Sequence, residues 1–296
     1  MSAVILESVS KRYGPTYALR EVSLAVPRGA LVLLLGPNGS GKSTLLDLVC
    51  GFRRASSGRI RVLGHDPWHS RGRLHRRLSC LVDRLTLKPW MSCLEAAEKL
   101  IKTGIAVEKR LHNYAALLGV REYWHRSYST YSAGMRKKCL LLLTLSTNAE
   151  LVAVDEPFEN LDAASITIVR NIFSELRERG VTIIIASHIT AGLENLATHV
   201  ALLINGTLID YGELYDVAAR HGSLQVIVNG IDAVKYADLI AKGKPYCIRG
   251  RELVIEAESI DEAQGIAEKA KELLPGAEAR IDVNLAALYS KVTQAK

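Results

Sequence analysis

Leu33–Gly51 reads LLLGPNGSGKSTLLDLVCG, an apolar run that passes through three glycines and a lysine into a second apolar run. A glycine-rich loop sacrifices packing and must lose extra backbone entropy on folding, so such a loop points to a backbone that comes close to a ligand. The spacing Gly36-x-x-x-x-Gly41-Lys42-Ser43 identifies that ligand as the phosphates of a nucleotide. Inward-pointing N–H groups of Gly36, Pro37, Asn38, Gly39, Ser40 and Gly41, proline excepted, would form a cradle with the positive end of a helix starting near Lys42 and continuing through Thr44. Lys42 would reach the β- and γ-phosphates, and the Ser43 hydroxyl would bind Mg²⁺.

Working outward, β-like runs precede this loop at 4–9 and 18–26, and strands follow it in GRIRVLG and LSCLVD. From about residue 91 to 147 the apolar spacing shifts to near 3.6 and predicts a helical insert. Alternation of strand and helix resumes with LVAVDEP, a helix over 163–179, VTIIIASH and a hairpin around Asn205-Gly206. We place a boundary at 222/223. Beyond it the order strand, helix, strand, strand, helix, strand, with a helix over 232–242, predicts a small α+β ferredoxin-like domain.

LVAVDEP is an apolar strand ending in two carboxylates. Next to a phosphate site this arrangement suits Asp155 as a ligand of Mg²⁺ through water and Glu156 as the group that polarises an attacking water. A parallel strand ending at His188 would carry the imidazole to the same edge, within reach of the γ-phosphate or that water.

The chain has 296 residues, 48% of them hydrophobic, enough to bury a sizeable core. No run approaches the ~20 apolar residues of a membrane span, and the first residues carry no signal-peptide pattern, so a soluble cytoplasmic chain is expected. Five cysteines, Cys50, Cys80, Cys93, Cys139 and Cys247, without close pairs argue against a disulfide framework and a zinc site. The formal charge of +7 is concentrated in part in Arg71–Arg77, read as a solvated helix face rather than a nucleic-acid or anionic-lipid patch.

GPNGSGKST, YSAGM, LVAVDEP, ENLD and IIASH, in this order, resemble the nucleotide-binding subunit of ATP-binding cassette (ABC) transporters over about residues 1 to 220. The resemblance implies an α/β P-loop NTPase core of the ABC type with an antiparallel β subdomain and a helical subdomain. It implies ATP and Mg²⁺ as cofactors, ATP hydrolysis, a second cassette as partner and permease subunits on separate membrane chains. Ser132 and Gly134 match the signature that meets the γ-phosphate on a second cassette, Asp162 the loop crossing that dimer, His188 the switch histidine, and Tyr13 the aromatic residue that stacks on adenine.

The departures are equally specific. Tyr131, Ala133 and Met135 stand where the family's signature has Leu, Gly and Gln, and Asp83 falls on the position of a Mg²⁺-linked glutamine. A carboxylate can still serve that metal. The segment 83–92 is expected to contact the membrane partner. The leading expectation is the ATPase subunit of an exporter, peripheral on the cytoplasmic face of the cell membrane, with no nucleic-acid partner. Two alternatives are a cassette of weak or absent turnover acting as a regulatory module, and a non-transport ATPase gating nucleic-acid or translation machinery.

Overall fold

A computed structural model describes residues 1–82, 85–188, 192–230, 233, 235–274 and 276–294. By contacts the chain divides into two compact units, Met1–Ile189 with Ala201–Ile209, and Thr190–Val200 with Asp210–Lys296.

The first unit opens with β1 (Ser2–Tyr13) and β2 (Thr16–Pro27), then β3 (Leu31–Leu35), α1 (Lys42–Val49), β4 (Ser57–Val62), α2 (Arg71–Leu74) and β5 (Leu78–Leu81). Three helices follow, α3 (Cys93–Lys102), α4 (Glu108–Leu117) and α5 (Ala133–Leu145), then β6 (Leu151–Asp155), α6 (Ala163–Glu178) and β7 (Thr182–Ala186). The hairpin β8 (His199–Ile204) and β9 (Thr207–Glu213) turns at Asn205 and Gly206, both with positive φ as a tight hairpin turn of this kind requires.

An antiparallel sheet runs β2-β1-β4, and a second sheet runs β5-β6-β7-β3-β8-β9 with parallel pairing of β5 to β6, β6 to β7 and β3 to β7. Every residue of β3, β6 and β7 is buried, which is what continuous apolar runs achieve only when both faces of a parallel sheet are covered. Helix α1 packs on β6 and β7 and on β2 and β4, joining the two sheets. Helix α5 packs on β5, α3 and α4, and the α3 start is closed by a capping box of Ser92 and Glu95.

In the second unit the elements are α7 (Leu214–Arg220), β10 (Leu224–Asn229), α8 (Ala237–Ala241), β11 (Tyr246–Arg249), β12 (Glu252–Ala257), α9 (Ile260–Leu273), β13 (Glu278–Val283) and α10 (Leu285–Gln294). The sheet order β11-β12-β10-β13, antiparallel throughout, is the split βαβ arrangement expected of a ferredoxin-like domain. Its first helix is Ala237–Ala241; of the predicted 232–242, positions 232 and 234 lie outside the described residues, and Ala233, Lys235 and Tyr236 are in turns. The contact division differs from the expected 222/223 junction, because α7 packs on α9, β10 and β13 and so joins the second unit.

Cysteine spacing misled in one respect. Cys50, which caps the end of α1, and Cys80 in β5 form a disulfide, with Cα atoms 6.4 Å apart. Thirty residues separate them in sequence, and only the fold places the end of α1 beside β5. Among the described residues, no helix is long and apolar enough to cross a membrane.

Candidate nucleotide site

Strand order decides what meets what. With β6, β7 and β3 adjacent and parallel, the loop after β3, the carboxylates ending β6 and the residues following β7 emerge at one edge.

The glycines of the loop have different reasons. A Cβ on Gly36 would lie 2.0 Å from the Leu203 carbonyl oxygen, and one on Gly41 would lie 2.5 Å from that of Ala18. These two are demanded by the protein's own backbone, a reason separate from the approach of a ligand. Gly39 has φ +79° and nothing within 4 Å, so it is demanded by conformation and faces open space. Ser40 Oγ is buried without a hydrogen-bond partner, and the loop is closed by its N–H donating to the Pro37 carbonyl at 3.1 Å.

Lys42 is only 5% exposed, and its ammonium donates to the carbonyls of Gly36 at 2.7 Å and Pro37 at 3.2 Å. Burial lowers its pKa, opposed by the negative charges of Glu156 and then Asp155. Asp155 is 2% exposed at the end of β6, while Ser43 is exposed in the first turn of α1. Glu156 follows with its backbone in the left-handed region, φ +45°. Its carboxylate accepts from the His188 N–H at 3.1 Å and the Ser187 hydroxyl at 3.2 Å, and lies 2.9 Å from His188 Nδ1. Lys42, Asp155, Glu156 and His188 thus form one cluster.

The remaining candidates lie elsewhere. Ser132 and Gly134 begin α5, where the Ser132 hydroxyl accepts from the Met135 N–H at 3.2 Å and caps the helix. Asp162 caps α6: the Ser165 N–H, with help from Lys138 at 3.1 Å, brings its pKa down to about 2. Tyr13 ends β1, 40% exposed, with the Arg53 guanidinium 4.9 Å and the Lys11 ammonium 5.2 Å from the ring centre. Asp83 lies outside the described residues.

Sequence reasoning missed three contributors. Ser187 was passed over beside His188. Tyr131, noted only as a departure, is buried: its hydroxyl donates to the Tyr123 carbonyl at 3.1 Å and accepts from the Cys93 N–H at 3.4 Å, and burial raises its pKa to about 12. Its ring packs edge-on against Tyr123, so an aromatic cluster supports the start of α5. Lys137, one turn into α5, donates to the Glu156 carbonyl at 2.8 Å. The only signal for it was a cation following YSAGM.

The donor set suits magnesium. Mg²⁺ takes few protein ligands and completes an octahedron with phosphates and water; one hydroxyl, Ser43, and one carboxylate, Asp155, fit that habit, and no group of three His, Cys, Asp or Glu residues placed to hold a metal occurs among the described residues.

A profile of the family described as ABC transporter matches residues 19–159. The phosphonates import ATP-binding protein of Frankia casuarinae is 35% identical over 205 residues, 64% of this chain and 81% of that protein. The ATP-binding subunit of an ABC transporter superposes with a TM-score of 0.69 at 24% identity, covering 75% of this chain and 94% of the other. A dimeric bacterial ABC transporter cassette superposes with a TM-score of 0.63 at 21% identity, covering 71% and 98%. Phosphate loop, strand-end carboxylates and sequence likeness agree, and the chain belongs to the ABC transporter family as an ATP-binding subunit.

Proposed function

We propose that this subunit hydrolyses ATP with Mg²⁺ and drives an exporter, as one of two like chains that close on two nucleotides beneath separate membrane subunits. The observation that carries the reading is the placement of Glu156. Its carboxylate leaves the same sheet edge as Lys42 and is oriented by Ser187 and His188. Held there, it accepts the proton of a water aimed at the γ-phosphate, while Lys42 and the loop N–H groups take up charge on the phosphates. Bound Mg²⁺, held by Ser43 and Asp155, would neutralise charge on the β- and γ-phosphates. His188 donates to the carboxylate and reaches the γ-phosphate, and Tyr13 offers its exposed ring to adenine.

Ser132 is exposed and Gly134 partly exposed at the head of α5, which supports their use by the nucleotide of a second copy, and Asp162 would cross the same interface. A cavity of about 280 Å³ beside β5, lined by Leu81, Leu85, Leu87, Leu100, Ile105 and Leu140, adjoins the segment expected to meet the membrane subunit. The unit made of 1–189 and 201–209 would act as the nucleotide-binding part, and the unit made of 190–200 and 210–296 as an accessory part. The export direction is inferred from the resemblance of the 223–296 sequence to the tails of export-type cassettes, and the chain would sit on the cytoplasmic face of the membrane. Glu156→Gln tests the central point. ATP binding persists, phosphate release falls by at least ~100-fold, the size expected of a general base, and size-exclusion with ATP and Mg²⁺ shows a dimer. A variant that hydrolyses at the unaltered rate refutes the assignment.

A further inference from the structure

Glu156 holds a left-handed backbone that an L residue adopts only when its surroundings impose it. Its N–H donates to the Ala186 carbonyl at 2.8 Å, tying it to β7. Its own carbonyl accepts the Lys137 ammonium at 2.8 Å and, at a longer 3.3 Å, the Glu159 N–H. Lys137 is half-buried one turn into α5, and that helix meets the same loop twice more. A Cβ on Gly134 would lie 2.8 Å from the Asn160 carbonyl oxygen, and Lys138 pairs with Asp162 at 3.1 Å. The helix whose first residues are Ser132 to Gly134 is thereby clamped to the loop whose first residue is Glu156.

We propose that Lys137 is a positioning residue: its ammonium fixes the peptide following Glu156, aims the carboxylate, and makes that aim depend on where α5 stands. The inference rests on the reading of Glu156 as the water-activating group. Any displacement of the head of α5 then reaches the carboxylate through one charged hydrogen bond. Charged bonds of this kind are among the stronger ones in proteins, and this one holds a strained residue. A methionine keeps the apolar stem and removes the donor, while arginine keeps a cationic donor.

The test is steady-state phosphate release by the full chain at varied ATP with Mg²⁺, with nucleotide affinity and unfolding midpoint measured alongside. Lys137→Met is expected to lower kcat by about 10- to 100-fold, the equivalent of losing one charged hydrogen bond, with KM unchanged. Lys137→Arg recovers most of the loss, and Lys137→Gln, a shorter neutral donor, falls between. In the Glu156→Gln background Lys137→Met has no further effect, because the two act as a unit. A Lys137→Met kcat equal to that of the unaltered protein overturns the proposal. So does an equal fractional loss in the Glu156→Gln background, or a loss that follows a lowered unfolding midpoint. If Lys137→Met does not fold, the Arg and Gln variants decide: equal kcat values for the two overturn the proposal. An unaltered protein that binds ATP without hydrolysing it defeats the functional reading itself, whereas normal turnover with an indifferent Lys137 defeats only this inference.

Discussion

Replacing Gly36 with alanine separates packing from conformation in the phosphate loop. The new methyl group would stand 2.0 Å from the Leu203 carbonyl oxygen and 2.6 Å from Ser40 Oγ. An ordinary carbon-to-oxygen approach is about 3.3 Å, so more than ~1 Å of movement is required. Leu203 lies within β8, between β3 and β9 in the sheet, and cannot yield that much without breaking its ladder. Overpacking of this kind costs about 3 kcal/mol or more. Gly39→Ala is the control. No atom lies within 4 Å, and the cost is the strain of φ +79° alone, about 1–2 kcal/mol, partly offset by the stiffer unfolded chain. At roughly 2–4 °C per kcal/mol for a domain of this size, Gly36→Ala should melt about 6–12 °C lower and Gly39→Ala about 2–4 °C lower. Circular-dichroism melts without nucleotide measure both. Equal drops, or a larger drop for Gly39→Ala, would show that Gly36 is not held by β8 and refute the argument.

Four further outcomes follow from the geometry. Mixing Lys42→Ala with Ser132→Arg, each inactive alone, should restore phosphate release to about a quarter of the unaltered level if each site draws one part from each copy and the sites are independent; crosslinked heterodimers without activity would sink that arrangement. Tyr131→Phe should lose about 1 kcal/mol in urea unfolding through its bonds to Tyr123 and Cys93, and an unchanged midpoint would deny them weight. Arg77, aided by Arg28, holds the Glu150 carboxyl down to about 2, below its ordinary 4.5, so the pair stabilises the fold above pH 4.5 and loses effect as pH falls towards 2. Glu150→Gln, at a partly exposed site, should therefore cost roughly 1 kcal/mol at neutral pH and nothing near the acid end, as melts across pH will show. Thiol titration of the denatured, unreduced chain should find the three free cysteines Cys93, Cys139 and Cys247, and five would refute the Cys50–Cys80 bond.

What could be read from the sequence was local or periodic. Leu31–Leu35 and Leu151–Asp155 announce buried strands by unbroken apolar runs, and the loop and carboxylates that follow them inherit their place from those strands. His188 was legible for the same reason, since a parallel neighbour had to carry it to the same edge. Contacts between distant residues left no such mark. The bond from Lys137 to the Glu156 carbonyl joins positions 19 residues apart, and neither its direction nor its reach is written in residue type. Tyr131 looked like a loss of the usual signature, yet with Tyr123 and Tyr128 it forms a packed cluster that no spacing rule describes. The reasons for Gly36 and Gly41 were similarly hidden, because Leu203 and Ala18 come from β8 and β2. The apolar spacing after β10 predicts a helix running past the observed Ala237–Ala241, because it continues through the turns at Ala233, Lys235 and Tyr236.

The two units are interleaved along the chain: it leaves the first at Ile189, returns to it at Ala201 and leaves again at Ile209. Heredity would find this arrangement hard to shuffle. A single recombination event between related genes exchanges everything on one side of one point, and no one point here divides the units. A crossover near position 222 would graft a foreign sheet onto a resident α7, which packs on α9, β10 and β13. Descendants that exchange the second unit intact need at least three junctions in register, at 189/190, 200/201 and 209/210.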